Sequence, residues 1–277
     1  MNGEIIIGDC VKVLTTLKDE SFQAIIADPP YFQVLLGEDW DNQWRSEDEY
    51  LAWFDLWVEL AARKLKQDGL FFIFGQLGKR EHAWLHACSR TARQLQFHDM
   101  LIWDRAVGYN ERYDSFTPCY EMVLVLRKSE SAKPYFNKDV LRVSYDEETI
   151  QNYMRDKRYK DRDARREHLE KGKYATNILR VPSLKGSSKE KIGHPSQKPL
   201  KLIQDLVACS TRKGDQVLDP FLGSGTTAAA CENLERRWVG IETQAKYAKL
   251  AESRIKNLAA EMALFNEANV EMSLAGS

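Results

Sequence analysis

What this chain lacks narrows it first. Its five cysteines, Cys10, Cys88, Cys119, Cys209 and Cys231, are scattered and form no C-x-x-C pair. That argues against a disulfide scaffold and against a zinc site with closely spaced ligands, so no metal is expected. It fits free thiols in a reducing cytoplasm. No apolar run exceeds the five residues of Leu70 to Phe74, far short of a bilayer span. The first residues, Met1-Asn2-Gly3-Glu4, carry no basic stretch leading into an apolar one, so no secretory signal is expected. Net charge is also scarce: the balance is -1 at pH 7, so any basic surface has to be local and offset by acids elsewhere.

What is present is an ordinary globular composition, 43% apolar and 29% charged over 277 residues, long enough to bury a large core. Short apolar runs alternate with helical patterns, the signature of a parallel sheet flanked by helices. Ile5–Ile7, Phe22–Ala27, Leu70–Phe74, Met100–Trp103 and Met122–Leu126 read as strands, followed late in the chain by Gln216–Leu218 and Trp238–Ile241. Helices are expected over Cys10–Leu17, from a capping box at Ser46–Glu49 to a stop at Gly69, over 79–94, and from Lys246 to Phe265. Residues 146–173 are highly charged with a helical look, and 183–193 are loop-like. The middle of the chain therefore looks inserted between two parts of one sheet.

Ligands of open α/β sheets gather beyond the carboxyl ends of strands. Asp9, Asp28, Asp219 and Glu242 fall at such ends. After Asp219 comes Pro220-Phe221-Leu222-Gly223-Ser224-Gly225-Thr226-Thr227, a Gly-rich turn into a helix. Its glycines allow close backbone approach, and the free N–H groups of the first helical turn favour an anionic group. No lysine follows the second glycine, so the phosphate-binding P-loop pattern fails, as does the dinucleotide spacing. Glu242, after the next strand, is placed to bind ribose hydroxyls. Asp28-Pro29-Pro30-Tyr31 offers different chemistry. The prolines lack N–H groups but keep their carbonyls. Asp28 and a proline carbonyl can then accept both hydrogens of one exocyclic amine, while Tyr31 stacks on the base, a contact worth about 1–3 kcal/mol. Two acceptors draw an aryl amine towards tetrahedral geometry and localise its lone pair, making attack on a methyl feasible. The plain alternative for Asp28–Tyr31 alone is a polar turn after a strand, and for Glu242 a solvated surface acid; a Gly-rich turn by itself carries little.

Together these residues resemble the amino-methylating DNA methyltransferases that use S-adenosylmethionine. Asp28–Tyr31 resembles their catalytic motif, Asp219–Thr227 their cofactor motif, His194-Pro195-Ser196-Gln197-Lys198-Pro199 a block preceding it, and Gly8-Asp9-Cys10 a fourth near the cofactor adenine. The order, catalytic motif first, is that of the β group. The resemblance implies a doubly wound, mostly parallel Rossmann-like α/β sheet. Residues 1–128 would form its catalytic half, 129–190 an inserted target-recognition region and 191–277 the cofactor half. It implies Asp9 and Cys10 beside the adenine, Glu242 at the ribose, and Phe221, Ser224 and Thr226 at the methionine end. Asp28, Asp219, Gly223 and Gly225 complete the cofactor set. Asp before Pro-Pro-Tyr implies adenine N6 in double-stranded DNA, with cytosine N4, RNA or a non-catalytic DNA-binding relative as alternatives. Phe32 departs from the Asn often found there. A homodimer and an accompanying restriction enzyme are further expectations.

Arg158, Arg162, Arg165 and Lys185 are candidate DNA contacts in the basic middle segment, although interleaved acids also suit a solvated, salt-bridged helix. Lys198 is expected to reach DNA phosphates or the cofactor's edge. Trp40 and Trp44 either close over an extruded base or pack on the following helix. Trp53 and Trp57 read as core or subunit-interface residues.

Overall fold

The computed structural model describes residues 2–35, 37–76, 81–108, 111, 113, 114 and 116–275, with side chains of 81, 82 and 261–275 left aside. In chain order the elements are β1 (Gly3–Ile7), α1 (Cys10–Thr16), β2 (Phe22–Ala27), α2 (Glu47–Lys64), β3 (Leu65–Gly75), α3 (Glu81–Thr91), β4 (Gln96–Asp104) and β5 (Tyr120–Arg127). Then come α4 (Glu147–Met154), α5 (Arg162–Glu170), β6 (Ile178–Arg180), α6 (Leu200–Ser210), β7 (Gln216–Asp219), α7 (Thr226–Asn233), β8 (Arg237–Glu242) and α8 (Ala245–Ala275).

The eight strands form one sheet in the order β1-β8-β7-β2-β3-β5-β4-β6. All neighbours are parallel except β5, which runs against both β3 and β4. This is the doubly wound, mostly parallel α/β sheet expected from the sequence. Its two faces separate by the period of two that governs strands. On β2 and β3, Ile25, Phe71 and Ile73 join one core with Leu14, Phe54 and Trp57 from α1 and α2. Ala24, Ile26, Leu70, Phe72 and Phe74 join the other with Leu202, Leu206 and Ala228 from α6 and α7. With both faces covered, central strands read as unbroken apolar runs.

Several elements differ from expectation in extent, and two differ in kind. α2 ends at Lys64, and Gly69 lies inside β3. There β2 and β3 slip register, with Phe22 opposite Leu65 but Ala24 opposite Leu70. A Cβ at Gly69 would sit 2.8 Å from the Gln23 carbonyl oxygen, so the glycine serves close strand approach rather than a helix stop. β6 was not expected at all: three residues of the middle segment extend the sheet beside β4. The expected helix at 79–94 is α3, with residues 79 and 80 outside the described residues. At α2 the capping box forms as Ser46 accepting from the Glu49 amide at 3.2 Å, while Glu49 accepts from Arg45, one residue before the cap. Among the described residues, no helix is long and apolar enough to cross a membrane.

Candidate active site

The carboxyl ends of β1, β2, β7 and β8 open onto a single cavity of about 380 Å³, within the range of small-molecule sites. The two distant motifs meet there. Asp28, Pro29, Pro30 and Tyr31 line one part, and Asp219, Phe221, Gly223, Ser224, Thr226 and Glu242 line another, with Asp9 and Cys10 between β1 and α1. Trp40 and Lys198 also face it.

Tyr31 donates its hydroxyl to Asp28 Oδ1 at 2.5 Å. Burial, then the charges of Asp28 and Glu121, holds that phenol well above its usual range, so it is a proton donor throughout neutral pH. Lys198 Nζ lies 2.6 Å from Asp28 Oδ2 and 3.4 Å from Glu121 Oε2. Burial by itself would lower this ammonium's pKa, but Asp28 and Glu121 outweigh it and the pKa rises. The expectation that Lys198 reaches phosphates meets a different geometry. It is buried, and its charge is spent inside the pocket. Tyr50 donates to the Pro30 carbonyl at 3.0 Å, fixing the second proline.

The loop after Tyr31 folds around Asp41, whose carboxylate accepts from the amides of Tyr31, Val34 and Leu35, each at 2.7 Å. Trp40 half-faces the cavity, donates to Glu38 at 2.7 Å and lies over His194. Trp44 instead packs on Tyr50 and Trp53 of α2. Trp44 thus follows the packing alternative, and Trp40 stands at the cavity wall. Trp57 is fully buried, Trp53 is partly buried at the cavity wall, and both contact the Phe221 ring.

In the Gly-rich turn the two glycines do different jobs. Gly223 adopts φ +52° at the cavity wall, where a Cβ would come within 3.1 Å of the His194 ring. Gly225 adopts φ +72° as the N-cap of α7, but it does not line the cavity: a Cβ there would lie 2.8 Å from the Ala251 Cβ of α8. Its need for glycine is steric, from helix packing rather than ligand approach. Ser224 and Thr226 hydroxyls lie 3.1 Å apart, and Thr226 donates to the Lys198 carbonyl at 3.2 Å. Glu242 accepts from the Gly223 amide at 2.8 Å and the Gln244 amide at 2.7 Å. Burial raises its pKa and lifts that of Asp219 further, to about 7, with the Asp28 and Glu242 charges adding to the rise. His194, desolvated, falls to about 4 and is neutral at pH 7. Asp9 caps α1 through the Lys12 amide at 3.0 Å. Burial, then Asp9, pushes the Cys10 thiol up to about 12, so it offers packing and not a thiolate.

This lining discriminates among ligands. Six acids (Asp9, Asp28, Asp39, Asp41, Asp219 and Glu242) face the cavity against one ammonium, already paired, so the lining stays net negative even with Asp219 partly protonated near pH 7. Such a field opposes a polyphosphate and suits a ligand bearing cations, such as a sulfonium and an amine, with hydroxyls for the carboxylates at the strand ends. S-adenosylmethionine fits that description.

The candidate DNA contacts of the middle segment, unlike Trp40 and Lys198, lie apart from the cavity. Arg158 is exposed and paired with Asp156 at 2.6 Å. Arg162 is exposed at the start of α5, Arg165 lies 3.9 Å over the Tyr159 ring, and Lys185 is exposed in the following loop. Glu121 is the site residue that sequence reasoning missed. It sits one residue before the apolar run expected as a strand. A lone acid entering such a run was the available signal.

The fold and cavity suit a nucleotide-like ligand beyond the carboxyl ends of the strands, and comparison with known proteins supplies the class. The DNA methylase family of N6 and N4 amino-methyltransferases matches residues 22–253. The chain belongs to that family: it is a DNA methyltransferase, and S-adenosylmethionine is its methyl donor. It is 29% identical over 267 residues to the type II methyltransferase M2.DpnII of Streptococcus pneumoniae, covering 90% of this chain and 87% of that one. Among solved structures, PvuII DNA methyltransferase (cytosine-N4-specific) superposes with TM-score 0.67 at 20% identity, over 93% of this chain and 91% of that one. M1.HpyAVI, solved as its SAM complex, gives 0.61 at 24%, over 91% and 98%.

Proposed function

We propose that this enzyme methylates N6 of an adenine swung out of double-stranded DNA. The observation that carries the reading is the continuity of one cavity from the Asp28–Tyr31 pair to the Gly223 turn and Glu242. Asp28 accepts one amine hydrogen and the Pro29 carbonyl the other, since the Pro30 carbonyl already receives the Tyr50 hydroxyl. The Tyr31 ring stacks on the base, and its hydroxyl holds the Asp28 carboxylate in place. Localising the amine lone pair and fixing its line of approach supply the rate. When bound, S-adenosylmethionine supplies an electrophilic methyl. Asp28 and the Pro29 carbonyl would keep the two amine hydrogens engaged, leaving the nitrogen lone pair free for that methyl. Asp9 and Cys10 flank the adenine of the cofactor, Glu242 its ribose, and Phe221, Ser224 and Thr226 its methionine end. Asp219 and Gly223 shape the wall.

On this reading residues 129–190 recognise the target between a catalytic half, 1–128, and a cofactor half, 191–277. Arg158, Arg162, Arg165 and Lys185 meet phosphates or base edges there. The enzyme works in the cytoplasm, a second copy of the chain pairs with it, and a restriction enzyme acts beside it.

Defined duplexes incubated with methyl-labelled cofactor and digested to nucleosides test the base. Label in N6-methyladenine is the expected result. Label confined to N4-methylcytosine overturns the adenine assignment and leaves the family membership standing.

A further inference from the structure

Beside Asp28 lies a second carboxylate with no announced role. Glu121 is only 5% exposed at the start of β5. Arg105 Nη1 holds its Oε1 at 3.1 Å. Its Oε2 faces Lys198 Nζ at 3.4 Å and the Tyr31 hydroxyl at 3.3 Å. One ammonium is therefore shared by two carboxylates, closer to Asp28, at 2.6 Å. The rings of Tyr31, Phe74 and Trp103 surround the same ammonium at 5.4, 5.4 and 5.9 Å. Aromatic faces hold a cation without fixing it to one partner.

Both oxygens of Asp28 are engaged here, Oδ1 by Tyr31 and Oδ2 by Lys198. An amine awaiting methylation needs one of them. A neutral N–H donor competes poorly with an ammonium in a desolvated site unless the ammonium has another anion to go to. Expelling the ammonium altogether would leave a buried carboxylate unpaired. Glu121 removes that conflict, because it lies within a short slide and is anchored from behind by Arg105.

We propose that Glu121 is the holding site for Lys198: as the target base arrives, the ammonium passes from Asp28 to Glu121, and Asp28 Oδ2 is released to the amine. The idea rests on the methyltransferase reading above. Asp28 and Glu121 balance Lys198 and Arg105 before and after the slide, so no net charge is created in the pocket. Until the base arrives, Lys198 stands in for the substrate's N–H donor. The Lys198 carbonyl also accepts from Thr226, and Arg254 donates to that hydroxyl at 2.9 Å. The shuttle's backbone is thus tied to the cofactor turn while its side chain moves. Glu121 is a positioning residue, acting through Lys198.

The test uses the full-length enzyme, unmethylated DNA from a methylase-free host and tritiated S-adenosylmethionine. Glu121→Gln leaves Lys198 with Asp28 alone, so KM for DNA should rise by about 10- to 100-fold, the loss of one charge-assisted hydrogen bond. Affinity for S-adenosylmethionine should stay within about twofold, since uniform loss of fold would move both constants. Adding Lys198→Gln to Glu121→Gln removes the competitor with its partner, so the double variant should exceed Glu121→Gln in kcat/KM. An unchanged KM for DNA, or losses that simply add, overturns the shuttle. If Glu121→Gln does not fold, Glu121→Asp keeps the charge but shortens the reach, and the same selective rise in KM is required of it. A wild-type chain that transfers no label to any DNA would instead defeat the underlying reading, a distinct outcome.

Discussion

At the scale of single residues, burial decides which acids are ionised. Asp219 accepts from the Phe221 amide at 2.9 Å, yet desolvation still lifts it well above the usual carboxylate range, to about 7. A carboxyl with a raised folded pKa binds its proton more tightly in the native state. The native state is therefore favoured below the unfolded pKa, and that advantage drains away as pH climbs from about 4 to about 7. The span corresponds to an amount on the order of 4 kcal/mol. His194, lowered to about 4, gives a slope of opposite sign between that value and 6.5. Asp219→Asn keeps His194, so the difference between the two proteins isolates Asp219. Urea unfolding of the cofactor-free proteins should show wild type losing ground to the variant from pH 5 to pH 8. Parallel curves would mean that Asp219 titrates normally. Asp28 makes a simpler case. Asp28→Ala removes the acceptor for the amine and should cut methyl transfer by about 10²- to 10⁴-fold in single-turnover assays.

Among elements, the loop between Tyr31 and α2 carries local strain that one side chain offsets. Phe32 and Gln33 both take φ +60°, a left-handed conformation that costs a non-glycine residue roughly 1–2 kcal/mol. Phe32 is retained by stacking on Tyr50 at 5.2 Å, and the chain then curls so that three amides meet Asp41. Asp41→Ala orphans those amides and should lower stability by about 2 kcal/mol, given about 1–3 kcal/mol for each unsatisfied buried group and some rescue by water. It should also speed proteolytic cleavage within 33–40 and reduce kcat/KM, because Tyr31 loses its amide anchor. Cleavage at the wild-type rate would show that the loop holds itself. The same loop marks the boundary of what a sequence discloses. Asp28, Asp219 and Glu242 were legible because strand ends are local patterns, and the helix caps and apolar periods placed most elements. The slip at Gly69 was not legible, since a glycine reads as a helix stop until its close approach to the Gln23 carbonyl is seen. Nor was β6, whose three residues pair only because β4 offers an open edge. Glu121 and Lys198 lie 77 positions apart in the chain and acquire meaning only when the sheet brings them together.

Over the whole molecule, a chain with net charge -1 has to bind a polyanion through a local surface. The basic residues of the middle segment are not equivalent there. Arg166 is paired with Glu170 at 2.8 Å and with Glu147, Lys171 with Glu167 at 2.6 Å, and Arg158 with Asp156. Such surface pairs are individually weak, but a cation that meets a phosphate from within one has to leave its carboxylate nearby, which subtracts from the gain. Arg162 and Lys185 are exposed and carry no ion pair among the described residues, so they can condense on phosphate at full charge. Affinity for unmethylated DNA should therefore depend unevenly on these positions. Arg162→Ala and Lys185→Ala should each weaken binding and reduce the slope of log affinity against log salt by about one. Lys171→Ala should change the slope by less, because it frees Glu167 as it removes a cation. Fluorescence anisotropy between low and physiological salt reads all three on the same DNA. Equal slopes across the set would move the DNA path off this face, to the loops at the rim of the cavity, and would detach the basic segment from target recognition.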